Sequence, residues 1–310
     1  MDLTRKGHHI RRQFAVIGGM HVFSPTLLNS FHVGANRVAA SINQNMSIVN
    51  HFANDTSFAA IPGQGPARIF MNGFSLMPGG VGGAAHVFHG YTSYQAYDDV
   101  FLTRGTHSLK FGVSLENIRN DTTSFQGAGD WTFGSLSALL TNKPLSFVGT
   151  LVGFATPRDV HQLLVGTYIQ DDWRIRKNLT LNLGLRYEAA TVPSEVHGKY
   201  VTLLDLTAAQ AKIGGQLFPN PTLHNFEPRV GFAWDPKGDS RTVVHGSAGL
   251  FDVLPLPYEM DLLEPNAAPF SEVGFVQSGL NGKFYAGGFP LLTARPWGPL
   301  LFSRILIATT

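Results

Sequence analysis

The sequence predicts an all-β fold, namely an antiparallel transmembrane β-barrel segment, and three observations predict it. Segments of about ten residues alternate between apolar and polar side chains, which is the period of a β-strand. Short turn-forming links join these segments in pairs, whereas much longer connections separate the pairs. The chain is poor in charged residues (14%) and rich in glycine (34 of 310). No apolar run reaches the roughly 18 residues that a membrane-spanning helix requires.

The strand predictions follow this alternation along the chain. The clearest segment is 179–188, in which four leucines and Tyr187 alternate with polar residues or glycine. Its length lies within the 9 to 11 residues or so that a tilted strand needs to cross a bilayer. Two segments fit less well, because Asp98 shares a face with apolar residues and Gly18 and Gly19 interrupt the first strand. The other predicted strands, within a total of about eight, cover 14–23, 27–37, 91–103, 107–118, 228–235 and 241–251.

The links between the predicted strands fall into two classes. Tight turns are predicted at 24–26, 104–106, 176–178 and 235–239. The connections 40–90, 121–160 and 189–227 are longer than loops in compact domains usually are. Short turns on one edge and long loops on the other are typical of a bacterial outer-membrane barrel, in which the turns are periplasmic and the loops extracellular. The segment 255–310 yields no strand assignment.

Alternation alone does not identify the face that meets lipid, because a soluble β-sandwich buries its apolar face. The polar positions here hold glycine, serine, asparagine and histidine with few charges, which favours a wet interior. Aromatic residues near strand ends are predicted to form interfacial girdles. These aromatics are Tyr168, Trp173, Tyr187, Trp234 and Phe251. Two alternatives stay open: a soluble β-sandwich that serves in binding or adhesion, and a small free-standing outer-membrane barrel.

Several kinds of chemistry are disfavoured. The chain has no cysteine, and its twelve histidines form no evident set of three or four ligands, so neither a metal nor a cofactor is expected. A net charge of +2, with the main basic cluster confined to 5–12, argues against a nucleic-acid partner. Asp171 and Asp172 are adjacent on a strand and point to opposite faces, so they cannot act together as acid and base. We expect no enzymatic activity.

Two segments carry a family resemblance. Residues 168–174 read YIQDDWR, and residues 178–188 read NLTLNLGLRYE. Together with supporting pieces at 23–29, 105–112, 225–234 and 242–246, they resemble the barrel of TonB-dependent outer-membrane receptors. More narrowly, they are similar to the large subclass that carries an N-terminal carboxypeptidase-regulatory-like domain. The resemblance covers most of residues 20–255.

The resemblance implies a location in the bacterial outer membrane and energy-coupled uptake of a scarce solute that is not chemically converted. It implies four partners: outer-membrane lipid, a plug domain, the remaining strands of the receptor, and the TonB complex, which would act through an N-terminal part. No signal peptide, plug domain or closing strand of that family is recognisable, so we expect residues 1–310 to be part of a barrel of about 22 strands, clearest within 14–251. Siderophore, cobalamin, oligosaccharide and peptide all remain open as the solute.

Charged and histidine side chains on the polar positions are the candidates to line the barrel lumen and meet a passing solute. They are Lys110, Glu116, Arg186, Glu188, Arg229 and His245. We expect them mainly to pair with one another or with a plug, as Arg186 and Glu188 do when they share one face of a strand. Eight strands left open would expose two unpaired edges in lipid, so the isolated chain is not expected to insert as a monomer. Heat-modifiable migration on a gel would contradict that expectation.

Overall fold

The computed structural model describes residues 5–45, 67–73, 84–126, 129–150, 157–259, 269–270 and 273–277. Its strands are β1 (Arg5–Ser24), β2 (Leu27–Asn45), β3 (Arg68–Met71), β4 (Ala84–Arg104), β5 (His107–Gln126), β6 (Asp130–Phe133), β7 (Ser146–Thr150), β8 (Arg158–Arg176), β9 (Leu179–Ala190), β10 (Ser194–Glu195), β11 (Val201–Thr202), β12 (Lys212–Ile213), β13 (Phe226–Trp234), β14 (Val244–Gly249) and β15 (Val273–Gln277). A short helix, α1, covers Leu136–Leu140, and single 3₁₀ turns cover Pro221–His224 and Pro257–Glu259. In these ranges no helix has the length and apolar character needed to cross a membrane.

Eight strands form the main sheet in the order β1-β2-β4-β5-β8-β9-β13-β14. Every neighbouring pair is antiparallel, so the chain runs back and forth across the sheet as a meander. The short strand β10 adds to β8 near the edge opposite the tight turns. Within the described ranges β1 and β14 do not pair with each other, so the sheet is open. The predicted all-β, antiparallel fold class is confirmed.

Four short links connect strands along one edge of the main sheet, which we call the turn edge. Two residues suffice between β1 and β2, between β4 and β5, and between β8 and β9. Gly105 lies in the second of these turns with φ +61°, a conformation that a residue with a Cβ adopts only at a cost. The link 235–243 is longer, and the Asp235 carboxylate orders it by accepting from the backbone N–H groups of Gly238 at 2.8 Å and Ser240 at 2.7 Å.

The five longest strands, β1, β2, β4, β5 and β8, contain 19 to 21 residues. For β1, β2, β4 and β5 alternation predicted only about the half nearest the turn edge, because beyond that half the outward positions become mostly polar, and no strand was assigned to β8. In β5 the face that carries Leu115 continues with Asn117 and Arg119, although backbone pairing to β8 persists. The connections predicted at 40–90 and 121–160 are therefore shorter than expected. We call the edge opposite the turns the loop edge.

Two small structures lie at the loop edge. A four-stranded sheet in the order β15-β7-β6-β3 has a core of Met71, Trp131, Phe133 and Phe147, all at most 3% exposed. The segment after β9 folds back over one face of β8, where Gln162 donates to the carbonyl oxygens of Thr191 at 2.8 Å and Pro255 at 2.7 Å. The best-buried part of the chain is thus beside the loops, while the half of the main sheet near the turn edge has no core.

Candidate functional site

From β2 to β14, one face of the main sheet carries the run of exposed apolar side chains, and we call it the apolar face; the edge strand β1 also exposes Phe14, Val16 and Met20 on the opposite face. In an antiparallel sheet, residues paired across neighbouring strands share a face. The register pairs Phe111 with Ile169 and Ile169 with Leu185, so the apolar positions of three strands coincide. The same face, at 38% exposure or more, carries Phe31, Val33, Phe111, Val113, Leu115, Ile169, Leu183, Leu185, Val230 and Phe232. These side chains do not converge in a dry core, and so large an exposed apolar surface is typical of contact with a membrane.

The apolar face has a defined height. In β5 its outward positions are apolar from Leu109 to Leu115, seven residues or about 23 Å along the strand. For a strand tilted by about 40° this is about 18 Å along the barrel axis, which fits within the apolar band of roughly 25 Å on outer-membrane barrels. The next outward positions, Asn117, Arg119 and Asp121, are all polar. We call the apolar stretch the apolar band and take it as the membrane-spanning part of the sheet.

Aromatic residues flank the apolar band at both ends. Near the turn edge, Trp173 and Trp234 lie on the apolar face, and Trp173 stacks on His107 with 5.3 Å between ring centroids. Near the loop edge, Tyr187 packs against Phe226 with 4.9 Å between ring centroids. Such positions suit rings that sit between lipid tails and water. The contribution of Phe226 was not predicted, although it falls on the correct alternation.

Two of the five predicted interfacial aromatics lie on the other side of the sheet. Tyr168 pairs in register with Gly112 and Arg186, and Phe251 lies 4.6 Å from the Arg229 guanidinium, measured to the ring centroid. Both rings therefore belong to the polar face, and neither is part of an outward girdle. The prediction used only distance from a strand end, whereas alternation places Tyr168 with Gln170 rather than with Ile169.

Asp98 lies on the apolar face, as its alternation indicated. It pairs in register with Val113, and its carboxylate accepts a hydrogen bond from the side-chain amide of Asn29 on β2. The amide also donates to the carbonyl oxygen of Asp99 at 3.3 Å. This local partner explains how an acidic residue is accommodated among apolar neighbours, since a polar group away from water needs a hydrogen bond.

The polar face brings together four of the six predicted lumen-facing residues. Lys110, Arg186, Glu188 and Arg229 come from β5, β9 and β13, and each has a charged partner within the wall. The Lys110 ammonium lies 3.9 Å from Asp99, and Arg186 forms an ion pair with Glu188. Arg229 donates to Glu227 at 2.6 Å. The cations of the polar face are therefore each paired with a carboxylate, and this cluster does not present charges of a single sign.

The remaining two predicted residues lie apart from this cluster. Glu116 is nearer the loop edge, where its carboxylate accepts from the Ser93 hydroxyl at 2.5 Å and the Gln95 amide at 2.9 Å. His245 is nearer the turn edge, in the wall of a cavity of about 670 Å³ that Gln170 and Arg229 also line. All six candidates share the polar face, but they do not form one site.

Glycines on the polar face let side chains lie flat against the wall. A Cβ atom on Gly112 would come within 2.5 Å of the Asp99 carboxylate, 2.7 Å of the Asp98 carbonyl oxygen and 2.9 Å of the Tyr168 ring. Tyr168 covers Gly112 and donates its hydroxyl proton to Asp99, while Lys110 lies 5.3 Å from the centre of its ring. These contacts create a second cavity of about 320 Å³, lined by Tyr97, Asp99, Lys110, Tyr168, Arg186 and Arg229.

Sequence reasoning missed Asp99, Tyr97, Gln170 and Glu227 as members of this wall. Alternation in 91–103 puts Tyr97 and Asp99 on the face opposite Asp98, so the signal was present in the sequence. Their proximity to Lys110 depends on the register between strands, which a single strand does not reveal. In the part of the chain that the structure describes, no three histidine or carboxylate groups are close enough to hold a metal ion.

These observations define a class of protein: a membrane β-barrel wall with an apolar outer face, aromatic borders and a polar inner face. Residues 3–303 match the family described as outer membrane beta barrel domain, and the chain belongs to that family. Its location is therefore the bacterial outer membrane, and the soluble β-sandwich alternative is wrong. No curated protein matches the chain. The apolar face is the lipid-facing side, and the polar face is the interior side.

Proposed function

We propose that this chain forms part of the wall of a TonB-dependent receptor, which takes up a scarce solute through the outer membrane without converting it chemically. The observation that supports this proposal most directly is the open main sheet, which has cavities of about 670 and 320 Å³ on its polar face. An eight-stranded barrel that closes on itself fills its interior with side chains. An open, glycine-lined wall instead favours a wider barrel with room for a solute.

The paired charges on the polar face support a wall that stays stable in a partly aqueous interior. Lys110, Arg186 and Arg229 each have a carboxylate partner, so none of them demands a ligand of opposite charge. Tyr168 and Gln170 add a ring and an amide to the lining of the smaller cavity. This combination suits the passage of a polar solute along the inner face of the wall.

Three partners follow from this proposal. Further strands are needed to cover the edges of β1 and β14, because unpaired backbone groups in lipid are very unfavourable. A plug domain would fill the wide interior, and the TonB complex would supply energy from the inner membrane through an N-terminal part. The proposed transport requires no catalysis.

A depletion experiment tests energy-coupled uptake. Cells with and without the gene are grown in defined rich medium, with and without the protonophore CCCP, and the remaining solutes are measured by mass spectrometry. The proposal predicts that at least one solute is removed only by cells that have both the gene and a proton gradient. Gene-dependent removal that persists under CCCP would indicate a passive pore instead.

Conductance distinguishes the receptor from a small free-standing barrel. In planar lipid bilayers, the receptor purified together with its plug should show no steady KCl conductance at low voltage. A constant open-channel conductance from that complete receptor would favour the free-standing pore and contradict the proposal.

A further inference from the structure

The cavity of about 670 Å³ on the polar face has a floor of glycine residues. The register aligns Gly184 of β9 with Arg229 of β13 and Arg229 with Gly249 of β14, while Gly231 lies two residues farther along β13 on the same face. A residue without a Cβ atom leaves the surface of the sheet low at its position. The volume lies within the roughly 300–1,000 Å³ that small-molecule sites occupy. The wall therefore has a shallow site that is open to the barrel interior.

Two exposed amide groups border this cavity on the side of β8 and β9. Asn182 and Gln170 donate to the same carboxylate oxygen of Asp172, at 2.6 and 3.4 Å. Each amide thereby uses one of its donors within the wall. Among the described residues, no hydrogen bond occupies the side-chain carbonyl oxygen of either amide, and both side chains are exposed. The two amides therefore offer acceptors to a solute, together with their second N–H groups.

Groups that can donate lie on the opposite side of the glycine floor. Ser247 and His245 belong to β14, lie on the polar face and are exposed. A hydroxyl group and an imidazole ring can each donate or accept a hydrogen bond. The register joins Asn182, Gly231 and Ser247 in one row across three strands, so Asn182 and Ser247 are about 10 Å apart with a glycine between them. Their side chains can therefore bind polar groups on opposite sides of one small ring.

An exposed aromatic ring completes the lining. Phe251 lies two residues after β14 and is 71% exposed, although it belongs to the polar side of the sheet. One side of its ring contacts the Arg229 guanidinium group, which lies 4.6 Å from the ring centroid. The face of an aromatic ring carries partial negative charge, so it attracts the weakly positive C–H bonds that cover one side of a pyranose ring. An open phenyl ring beside amide and hydroxyl groups therefore suits a sugar.

The charges of this lining are balanced. Among the described residues that line the cavity, Arg229 is the single lysine or arginine, and its guanidinium group is paired with Glu227 at 2.6 Å. An anionic chelate or an acidic peptide would have to compete with Glu227 for this cation. The same described lining contains no carboxylate that would receive a cationic solute. A neutral solute needs no ion partner, so the charge pattern favours it.

We propose that this cavity is a subsite for a neutral oligosaccharide. One sugar ring would stack on Phe251, and its hydroxyl groups would bind the Asn182 and Ser247 side chains. Sugar hydroxyls both donate and accept hydrogen bonds, and so does the mixed set of amide, hydroxyl and imidazole groups around the cavity. The assignment rests on the proposed uptake function and adds the class of solute to it. Peptides and anionic solutes are the competing classes.

An array of immobilised solutes, probed with the purified complete receptor, tests the assignment. The array carries neutral oligosaccharides from plant, fungal and bacterial polysaccharides, acidic oligogalacturonates, and short peptides. The proposal predicts that neutral oligosaccharides give the strongest signals. The dissociation constant, Kd, of the neutral oligosaccharide that binds best is then measured by isothermal titration calorimetry for the wild type and for each variant.

The double variant Phe251→Ala/Asn182→Ala should raise Kd by about tenfold or more, because it removes the aromatic surface and one hydrogen-bonding amide. The matched control is Phe14→Ala/Asn36→Ala. Phe14 and Asn36 are also an exposed ring and an exposed amide on the polar face, and they pair in register across β1 and β2 at the opposite edge of the sheet. This control should leave Kd within about twofold of the wild-type value.

A second variant fills the cavity without removing a contact group. In Gly184→Val the added Cβ atom would lie 3.7 Å from the Arg229 Cβ atom and 3.8 Å from the Ile169 carbonyl oxygen, which are ordinary contacts. The fold should therefore be kept, as heat-modifiable migration on a gel would verify, while Kd should again rise by about tenfold or more. Gly34→Val on the polar face of β2 is the matched control, because its Cβ atom would meet its nearest neighbours at 3.5 Å and lies outside the cavity.

Three results would overturn the sugar assignment: no binding of any neutral oligosaccharide, stronger binding of peptides or oligogalacturonates, or an unchanged Kd in either folded cavity variant. Failure of this assignment differs from failure of the uptake proposal. If removal of a peptide or an anionic solute requires both the gene and the proton gradient, uptake is supported and the sugar subsite is rejected. If the variants weaken sugar binding but gene-dependent removal persists under CCCP, the subsite is supported and energy-coupled uptake is rejected.

Discussion

The two faces of the main sheet share the same strands and the same backbone hydrogen bonds, yet their side chains are satisfied in different ways. On the apolar face, Ile169 and Leu185 stay exposed because the surrounding lipid is as apolar as they are. On the polar face, Lys110 and Arg229 have carboxylate partners inside the wall. A face that meets lipid needs no partners, whereas a face that lines a partly wet interior must pair its charges locally.

The largest expected effect comes from placing a charge on each face in turn. Ile169 and Gln170 are adjacent in β8, are both exposed, and point to opposite faces. In the complete barrel to which this chain contributes, Ile169→Arg should lower the free energy of unfolding in lipid vesicles by about 2–4 kcal/mol, because a charged side chain then faces the acyl tails. Gln170→Arg is the matched control and should change it by less than about 0.5 kcal/mol. Urea titration followed by tryptophan fluorescence measures both, and equal losses would contradict the assignment of the faces.

The next effect concerns the close approach of side chains to the polar face. Gly112→Ala puts a methyl group where the Asp98 carbonyl oxygen and the Tyr168 ring already lie, so the strands or the ring must move. We expect a loss of about 1–3 kcal/mol in the free energy of unfolding. Gly19→Ala on β1 is the control, since its added Cβ would have no heavy atom within 4 Å. If both variants have the same free energy of unfolding, the Tyr168–Gly112 contact does not contribute to stability.

A smaller effect is expected from breaking one ion pair of the polar face. The Glu227 side chain is only 3% exposed, and Arg229 is its cationic partner. Arg229→Met leaves the carboxylate with only the backbone N–H of Asp252, which donates to it at 3.2 Å, and should destabilise the protein by about 1–2 kcal/mol. Adding Glu227→Gln should recover most of that loss in a double-mutant cycle. Strictly additive losses would show that the two residues do not interact.

The smallest effect concerns pH and the outward acids beyond the apolar band. Burial and a hydrogen bond with Asp159 raise the pKa of Asp121 above its ordinary value of 3.8. Its contribution to stability is therefore greatest when it is protonated and falls as pH rises through the raised value. Asp121→Asn mimics the protonated form. The variant should therefore be slightly more stable than wild type at pH 7, and this difference should vanish below about pH 4. If the stability difference between Asp121→Asn and wild type instead grows as the pH falls, the pKa of Asp121 is not raised in the folded protein.

The alternation in 107–118 and 179–188 was enough to predict the fold class and the two faces, because the side-chain period of a strand does not depend on its neighbours. Strand length was not predictable in the same way. Beyond Leu115 the outward positions become polar, so the apolar signal ends although pairing continues to Thr122. The extent of the apolar alternation therefore indicates how much of the strand faces lipid, and it does not indicate the full length of the strand.

The candidate site was predictable in its members but not in its contacts. Lys110 and Arg229 followed from alternation, whereas the meeting of Lys110, Asp99 and Tyr168 required the register of β4, β5 and β8. Register between strands separated by long connections has no local sequence signal. Arg37 and Arg119 show the same limit, because the register aligns them only across β4.

Site-directed spin labelling of β5 tests the central claim most directly, and the absence of cysteine in the chain makes single-cysteine variants clean. In the complete barrel, with any cysteine outside these 310 residues replaced by serine, each residue from 109 to 119 is replaced by cysteine, labelled with a nitroxide in lipid vesicles, and probed with oxygen and a water-soluble nickel chelate. We predict that oxygen accessibility peaks at 109, 111, 113 and 115, that chelate accessibility peaks at the even positions between them, and that 117 and 119 become accessible to the chelate. The opposite phase, or no alternation across 109–115, would contradict a sheet whose apolar face meets lipid.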